Sequence, residues 1–406
     1  MTILNFLLII ISISQINCSN STAPNTDASE ATEKMEAPLL VGAAQMELYL
    51  PKWEGKKIGL VVNATSMIDQ IHLVDTLRKR GIAIEKILAP EHGFRGTADA
   101  GEIIKDGVDA ATGIPVISIY GSKKKPSKED LAGLDLLVFD IQDVGARFYT
   151  YTSTLTYVME ACAENQVLLW ILDRPNPLGH YTDGPILDTP AYRSFVGMHP
   201  MPVVHGLTVG EFAQMLNGEG WLNGGLKCPL EIVPCAGYDH QTFYELPVKP
   251  SPNLPNIRAI YLYPSICFFE GTDVSVGRGT DKQFQVIGTP GSTIGDYTFT
   301  PEPKPGAMQP PQQGKECRGF DLSHIPLDSL RADKAMRLAY LIDFFKAAPN
   351  PEGFFSRYKH FDLLAGSEGL RKDLLAGKSE AAIRAGWAPG LEAYRAKRKK
   401  YLLYPE

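Results

Sequence analysis

Short apolar runs, each closed by a polar loop, set the strongest limit on how this chain can fold. Residues 57–63, 84–88, 115–120, 135–139, 167–172 and 230–233 are rich in Val, Ile and Leu and too short to be helices. Between several of them apolar residues recur at helical spacing. Residues 71–80 end in basic side chains, as helix C-termini prefer, and residues 153–163 suit a helix. Residues 208–217 open on Thr208, with Glu211 at the reciprocal position of a capping box. Strands that are apolar throughout and alternate with helices predict a parallel sheet covered on both faces. The expected fold is therefore α/β, with a Rossmann-like, mostly parallel sheet domain. No GxGxxG turn and no Walker A loop follows the first strand, which disfavours a nucleotide-dependent enzyme.

From about Val248 the texture changes. Residues 250–256 read as an extended, proline-rich linker, residues 282–287 as a strand and residues 301–311 as an irregular loop. Residues 334–346, 369–375 and 379–394 read as helices. These segments predict a second, smaller α+β C-terminal domain, residues 250–406, closing a cleft over the first, residues 38–249.

The N-terminus is of another kind. Residues 3–13 are nearly all apolar and too short to span a bilayer, so residues 1–18 read as an export signal ending at Cys18. Residues 19–37, rich in Ser, Thr, Asn, Ala and Glu, read as a disordered tether. A cysteine between a signal and a polar tether predicts lipid attachment at Cys18 and a periplasmic or outer-membrane location. The other cysteines are scattered singly and are expected as buried thiols. Cys228 and Cys235 are the only two near enough in sequence to suggest a bridge. A net charge of −6 over 406 residues, without a basic face, gives no support for nucleic-acid binding.

Chemistry is concentrated in loops that directly follow strands, where open α/β sheets bind ligands. The first is Ala89-Pro90-Glu91-His92-Gly93-Phe94-Arg95-Gly96, with a carboxylate, an imidazole and a guanidinium beside two flexible glycines. The second, Asp140-Ile141-Gln142-Asp143-Val144-Gly145-Ala146-Arg147-Phe148-Tyr149-Thr150-Tyr151, places Asp140 and Gln142 on one side of an extended backbone. In the third, Asp173-Arg174-Pro175-Asn176-Pro177, two prolines fix the polar groups. The fourth runs from Phe269 to Thr280 and carries Glu270, Thr272 and Arg278 among small residues. Against each stands a plain structural role, as helix cap, local ion pair or aromatic packing. His199 and His205 are more simply structural than ligands.

No GxSxG elbow and no cysteine in a polar loop argue against acyl transfer. Carboxylates, phenols and guanidinium groups around one cleft fit glycoside cleavage. Glu91, beside apolar Pro90 and Phe94, is the better candidate acid. Asp140, Asp143 and Tyr149 are candidates for the opposing role. His92, Arg95, Gln142, Arg147, Tyr151, Asp173, Arg174, Asn176, Glu270, Thr272 and Arg278 are candidates for substrate binding. No spacing is diagnostic of a metal site.

At these four loops, through Pro90-Glu91-His92-Gly93-Phe94-Arg95-Gly96, Phe139 to Tyr151, Leu172 to Pro177 and Phe269-Glu270-Gly271-Thr272, the sequence resembles the bacterial exo-β-N-acetylmuramidases. The resemblance covers residues 39–406 and implies a Rossmann-like domain with a smaller C-terminal domain and a cleft between them. It implies release of N-acetylmuramic acid from non-reducing ends of peptidoglycan fragments without a cofactor, with the glutamate of the PEHG motif, Glu91, as a catalytic residue. The muramyl sugar differs from a glucosaminyl sugar by a lactyl carboxylate, which guanidinium groups bind bidentately. Arg95, Arg147, Arg174 and Arg278 are the candidates. The alternative from another class is a surface lipoprotein that binds cell-wall glycan without cutting it.

Overall fold

The computed structural model describes residues 38–95 and 106–406. The expected export signal and tether, with Cys18, and Gly96 lie outside the described residues. The apolar runs form one sheet from β1 (Ile58–Val62), β2 (Ile84–Ala89), β3 (Gly107–Val108), β4 (Pro115–Ser118), β5 (Leu136–Asp140), β6 (Leu168–Leu172) and β7 (Leu230–Val233). The order is β3-β4-β2-β1-β5-β6-β7, and every neighbouring pair is parallel except β3–β4.

Alternation along the strands explains why they are apolar throughout. Val61, Phe139 and Ile171 point to the face covered by α2 (Tyr151–Asn165) and α3 (Val209–Gly218). Leu60, Val138 and Trp170 point to the other face, with Trp53 and the Leu73, Val74 and Leu77 side chains of α1 (Leu73–Lys79). The central strands β1, β5 and β6 thus bury both of their faces. The capping box of α3 is formed: Glu211 N–H donates to Thr208 Oγ1 at 3.2 Å and Thr208 N–H to Glu211 Oε2 at 2.9 Å. The chain runs outward from β1 through β2 to β4 and then returns to β5 on the other side of β1. That reversal opens a crevice at the carboxyl ends of the central strands.

The C-terminal part begins with α4 (Ile257–Ile266). It continues through an antiparallel sheet of β8 (Val286–Thr289), β9 (Tyr297–Phe299) and β10 (Cys317–Asp321), in the order β8-β10-β9. It ends in α5 (Ala339–Ala347), α6 (Tyr358–Ala365), α7 (Gly369–Leu375) and α8 (Glu380–Arg398). One continuous apolar core runs from α2 and α3 into α4, α5, α6 and α8.

Three expectations change. The segment 250–256 is not a passive linker: Leu254 N–H closes a turn on the Ser251 carbonyl, and Asn256 Oδ1 caps α4 by accepting from Ala259 N–H at 3.0 Å. The aromatic side chains and Pro264 inside α4 hid that helix from propensity alone. The strand expected over 282–287 starts only at Val286, because Phe284 takes a left-handed backbone (φ 53°) and turns the chain there. Cys228 and Cys235 form no bridge, and the five described cysteines are all buried free thiols.

Candidate active site

Past the end of β2 the backbone closes a turn, Gly93 N–H donating to the Pro90 carbonyl at 3.0 Å. His92, inside the turn, has φ 68° and Gly93 has φ 74°. A left-handed backbone is unremarkable for glycine but strained for histidine, at a cost of about 1 kcal/mol or more. The turn presents Glu91 and His92 to a cavity of about 140 Å³. A volume of that order takes up a bare six-membered ring such as benzene, so a substituted sugar would reach beyond it through the cavity's mouth.

The Glu91 carboxyl is gripped by hydroxyls. Tyr120 Oη donates to Oε1 at 2.7 Å and Thr150 Oγ1 to Oε2 at 2.8 Å, while Tyr151 Oη donates to its carbonyl at 3.3 Å. Phe94, expected beside it, instead packs edge-on against His72 at 4.9 Å. The cavity wall continues through Phe148, Tyr149, Ser251, Asn253, Tyr263 and Phe284. Tyr149 Oη donates to the Pro250 carbonyl at 2.7 Å, which ties the second loop to the segment before α4. Burial, with Glu91 among the nearby negative charges, pushes the Tyr149, Tyr151 and Tyr120 phenols well above their ordinary range. They are neutral hydrogen-bond donors in the fold.

Glu270 and Arg278 also border the cavity, joined by Nε to Oε1 at 2.7 Å. Burial works against the charge of Arg278, but Glu270 more than restores it and its pKa lies above the ordinary value. The arginine lies over the Phe284 ring at 5.2 Å.

Of the residues singled out from sequence, the cavity thus gathers Glu91, His92, Tyr149, Tyr151, Glu270 and Arg278. The others are committed to the fold. Asp140, fully buried, takes Arg174 Nη2 at 2.9 Å and Nε on its other oxygen, so it cannot oppose Glu91 and Arg174 cannot reach substrate. Asp143 Oδ2 accepts the Gly145 N–H at 2.7 Å and lies 3.4 Å from buried His205 Nε2. Gln142 donates to the carbonyls of Asp143 and Pro175, each at 2.7 Å. Asn176 bridges Leu207 and Leu178.

Asp173 is a knot rather than a ligand. It accepts from Thr208 and Tyr404 hydroxyls at 2.6 Å and from Gly210 N–H at 2.9 Å. Burial nevertheless pushes its carboxyl up to about 6. Arg147, wholly buried, spends its terminal nitrogens on the carbonyls of Pro185, Met201 and Leu364, and burial lowers its pKa to about 9. Thr272 Oγ1 donates to the Phe269 carbonyl at 2.8 Å. Arg95 grips Asp109 with two nitrogens on the exterior.

Sequence reading missed Thr150, Ser251, Asn253, Tyr263 and Phe284 as wall residues and Tyr120 as a donor to Glu91. Thr150 lay within a motif already noted. The others sit in segments read as strand, linker or packing, and no local signal marks them.

Glu91, held by hydroxyls at the sheet's carboxyl edge, and the ion-paired Glu270 line one cavity together with several phenols, an arrangement that fits a carbohydrate site of the glycosidase class. The comparisons name the family. The profile described as exo-β-N-acetylmuramidase NamZ, N-terminal, matches residues 58–258, and its C-terminal counterpart matches residues 261–404. The chain belongs to the NamZ exo-β-N-acetylmuramidase family. It is 37% identical over 380 residues to the peptidoglycan β-N-acetylmuramidase NamZ of Bacillus subtilis, covering 88% of this chain and 89% of that one. Two crystal structures of DUF1343 family proteins from Bacteroides fragilis share the fold. One has TM-score 0.85 at 45% identity over 91% of this chain and 100% of its own. The other has TM-score 0.73 at 27% identity over 90% and 99%.

Proposed function

We propose that this chain is an exo-β-N-acetylmuramidase that releases N-acetylmuramic acid from the non-reducing ends of peptidoglycan fragments, with Glu91 as general acid. The observation that carries this is the placement of Glu91. Its carboxyl sits at the wall of a ring-sized cavity, its two oxygens fixed by Tyr120 and Thr150. From there Glu91, once it has taken up a proton, can give that proton to the oxygen of a departing sugar as the anomeric carbon gains oxocarbenium character. The name of the Bacillus relative supports the peptidoglycan substrate. The apolar run 3–13 and Cys18 support export and lipid attachment, which would bring the enzyme to cell-wall fragments.

The test is hydrolysis of a chromogenic muramyl glycoside beside its glucosaminyl counterpart by wild type and Glu91→Gln. Positioned acid catalysis contributes roughly 10²–10⁴-fold, so the variant should lose that much in kcat. Retention of more than about a tenth of wild-type turnover removes Glu91 from the role. Wild type that binds glycan and releases no sugar establishes the binding lipoprotein instead.

A further inference from the structure

We propose that Arg278 selects the muramyl sugar by holding its lactyl carboxylate on the two terminal guanidinium nitrogens, while Nε stays anchored on Glu270. The inference rests on the muramidase reading of the cavity and assigns within it the residue that sets sugar specificity.

Four arginines stand in the loops that carry the chemistry, and three are spent. Arg147 is wholly buried on three backbone carbonyls, and Arg174 is locked on Asp140. Arg95 grips Asp109 and lies within 3.8 Å of Asp75. Arg278 borders the cavity. Its Nε donates to Glu270, whereas Nη1 and Nη2 have no acceptor among the described residues. The Nη1–Nη2 edge is the end-on fork of a guanidinium, two parallel donors spaced for the two oxygens of a carboxylate. Stacking over Phe284 and the bond to Glu270 fix the plane of that fork before a ligand arrives, which lowers the ordering cost of binding. A glucosaminyl sugar, with a hydroxyl where the lactyl ether stands, leaves one edge of a partly buried cation without its counter-charge. Discrimination by loss of a charge-assisted pair is strong because the unpaired group stays desolvated.

The experiment compares kcat/KM of wild type, Arg278→Met and Arg278→Lys on three chromogenic glycosides with one leaving group: muramyl, glucosaminyl, and muramyl with its lactyl carboxyl converted to the primary amide. Wild type should prefer the muramyl over the other two by roughly 10²-fold, the scale of a bidentate charge-assisted contact. Arg278→Met should bring the three substrates to within about threefold of one another, and Arg278→Lys should restore part of the preference through a point charge. A folded Arg278→Met, judged by circular dichroism and melting, that keeps the muramyl preference overturns the proposal. So does wild type that cleaves the amide as fast as the acid, a result that needs no variant to fold. Wild type inactive on all three glycosides refutes the muramidase reading itself, which separates the two failures.

Discussion

Two acid–arginine pairs of the same chemistry do opposite things in this molecule. Asp140–Arg174 joins the end of β5 to the loop after β6, with side chains 0% and 2% exposed. All three arginine contacts run to protein: two to Asp140 and one to the Met67 carbonyl. Glu270–Arg278 is bonded through Nε alone, with side chains 22% and 20% exposed, and leaves its outer edge toward a cavity. The first pair is fully buried, bonds to protein through both Nε and Nη2, and holds loops together. The second is bonded through Nε only, and Arg278 borders the cavity proposed to take the substrate. Residue type is common to both, so the difference lies in how many partners the surrounding fold supplies.

Breaking the buried pair should have the largest effect on folding. Asp140→Asn leaves a buried guanidinium without its charge, at a cost of about 3–5 kcal/mol. The urea midpoint should fall accordingly, while the protein that remains folded keeps the sugar preference of wild type. A stability loss below about 1 kcal/mol would mean that the pair is not the clamp its geometry describes.

Histidines divide along the same line, and pH sharpens the contrast. His199 is stacked on Trp221, with ring centroids 5.2 Å apart, and its Nε2 lies 3.0 Å from Thr156 Oγ1. Burial lowers its pKa to about 3, so it stays neutral in the fold, whereas it takes up a proton below about 6.5 when unfolded. The unfolded state then binds more protons, and stability present above pH 6.5 is lost as pH falls toward 3. Between pH 6.5 and 5 the loss from this residue is about 2 kcal/mol. His199→Gln should flatten that part of the stability profile. An unchanged slope between the two proteins would place the acid sensitivity elsewhere.

Glu270→Gln probes the pair at the cavity. Removing the charge from a partly exposed partner should change the urea midpoint by less than about 1 kcal/mol. The muramyl kcat/KM should nevertheless drop roughly tenfold, because Arg278 loses its anchor. Equal losses of stability and activity would reduce this pair to a structural one like Asp140–Arg174.

The smallest effect belongs to Tyr120→Phe, which deletes one hydroxyl donor to Glu91 and leaves Thr150 in place. A single hydrogen bond is worth about 1 kcal/mol, so kcat should fall about fivefold with little change in KM. A loss as large as that of Glu91→Gln would make Tyr120 a participant in the proton transfer.

Legibility differed sharply between scaffold and site. The strands ending at Val62, Ala89, Asp140 and Leu172, and the capped helix after Thr208, could be read locally, because apolar runs and capping residues act within a few positions. The position of Glu91 followed from its place after β2. The role of Asp140 did not: an aspartate at a strand's carboxyl end reads alike whether it meets a substrate or Arg174, which is 34 residues away. Nor did the segment 250–256, whose prolines read as a spacer, although Ser251 and Asn253 line the cavity and Pro250 accepts the Tyr149 hydroxyl.

The sequence by itself determined the α/β alternation, the edge of the sheet at which polar groups collect, and Glu91 as the acid to examine. Only the tertiary structure decided which charged loops face solvent and which are consumed inside. The physical reason is that a buried charge must find its partner within hydrogen-bond reach, and those partners come from segments far apart in the chain. Asp140 and the terminal nitrogens of Arg147 are provided for by such segments, whereas the terminal nitrogens of Arg278, at the cavity's edge, have no acceptor among the described residues.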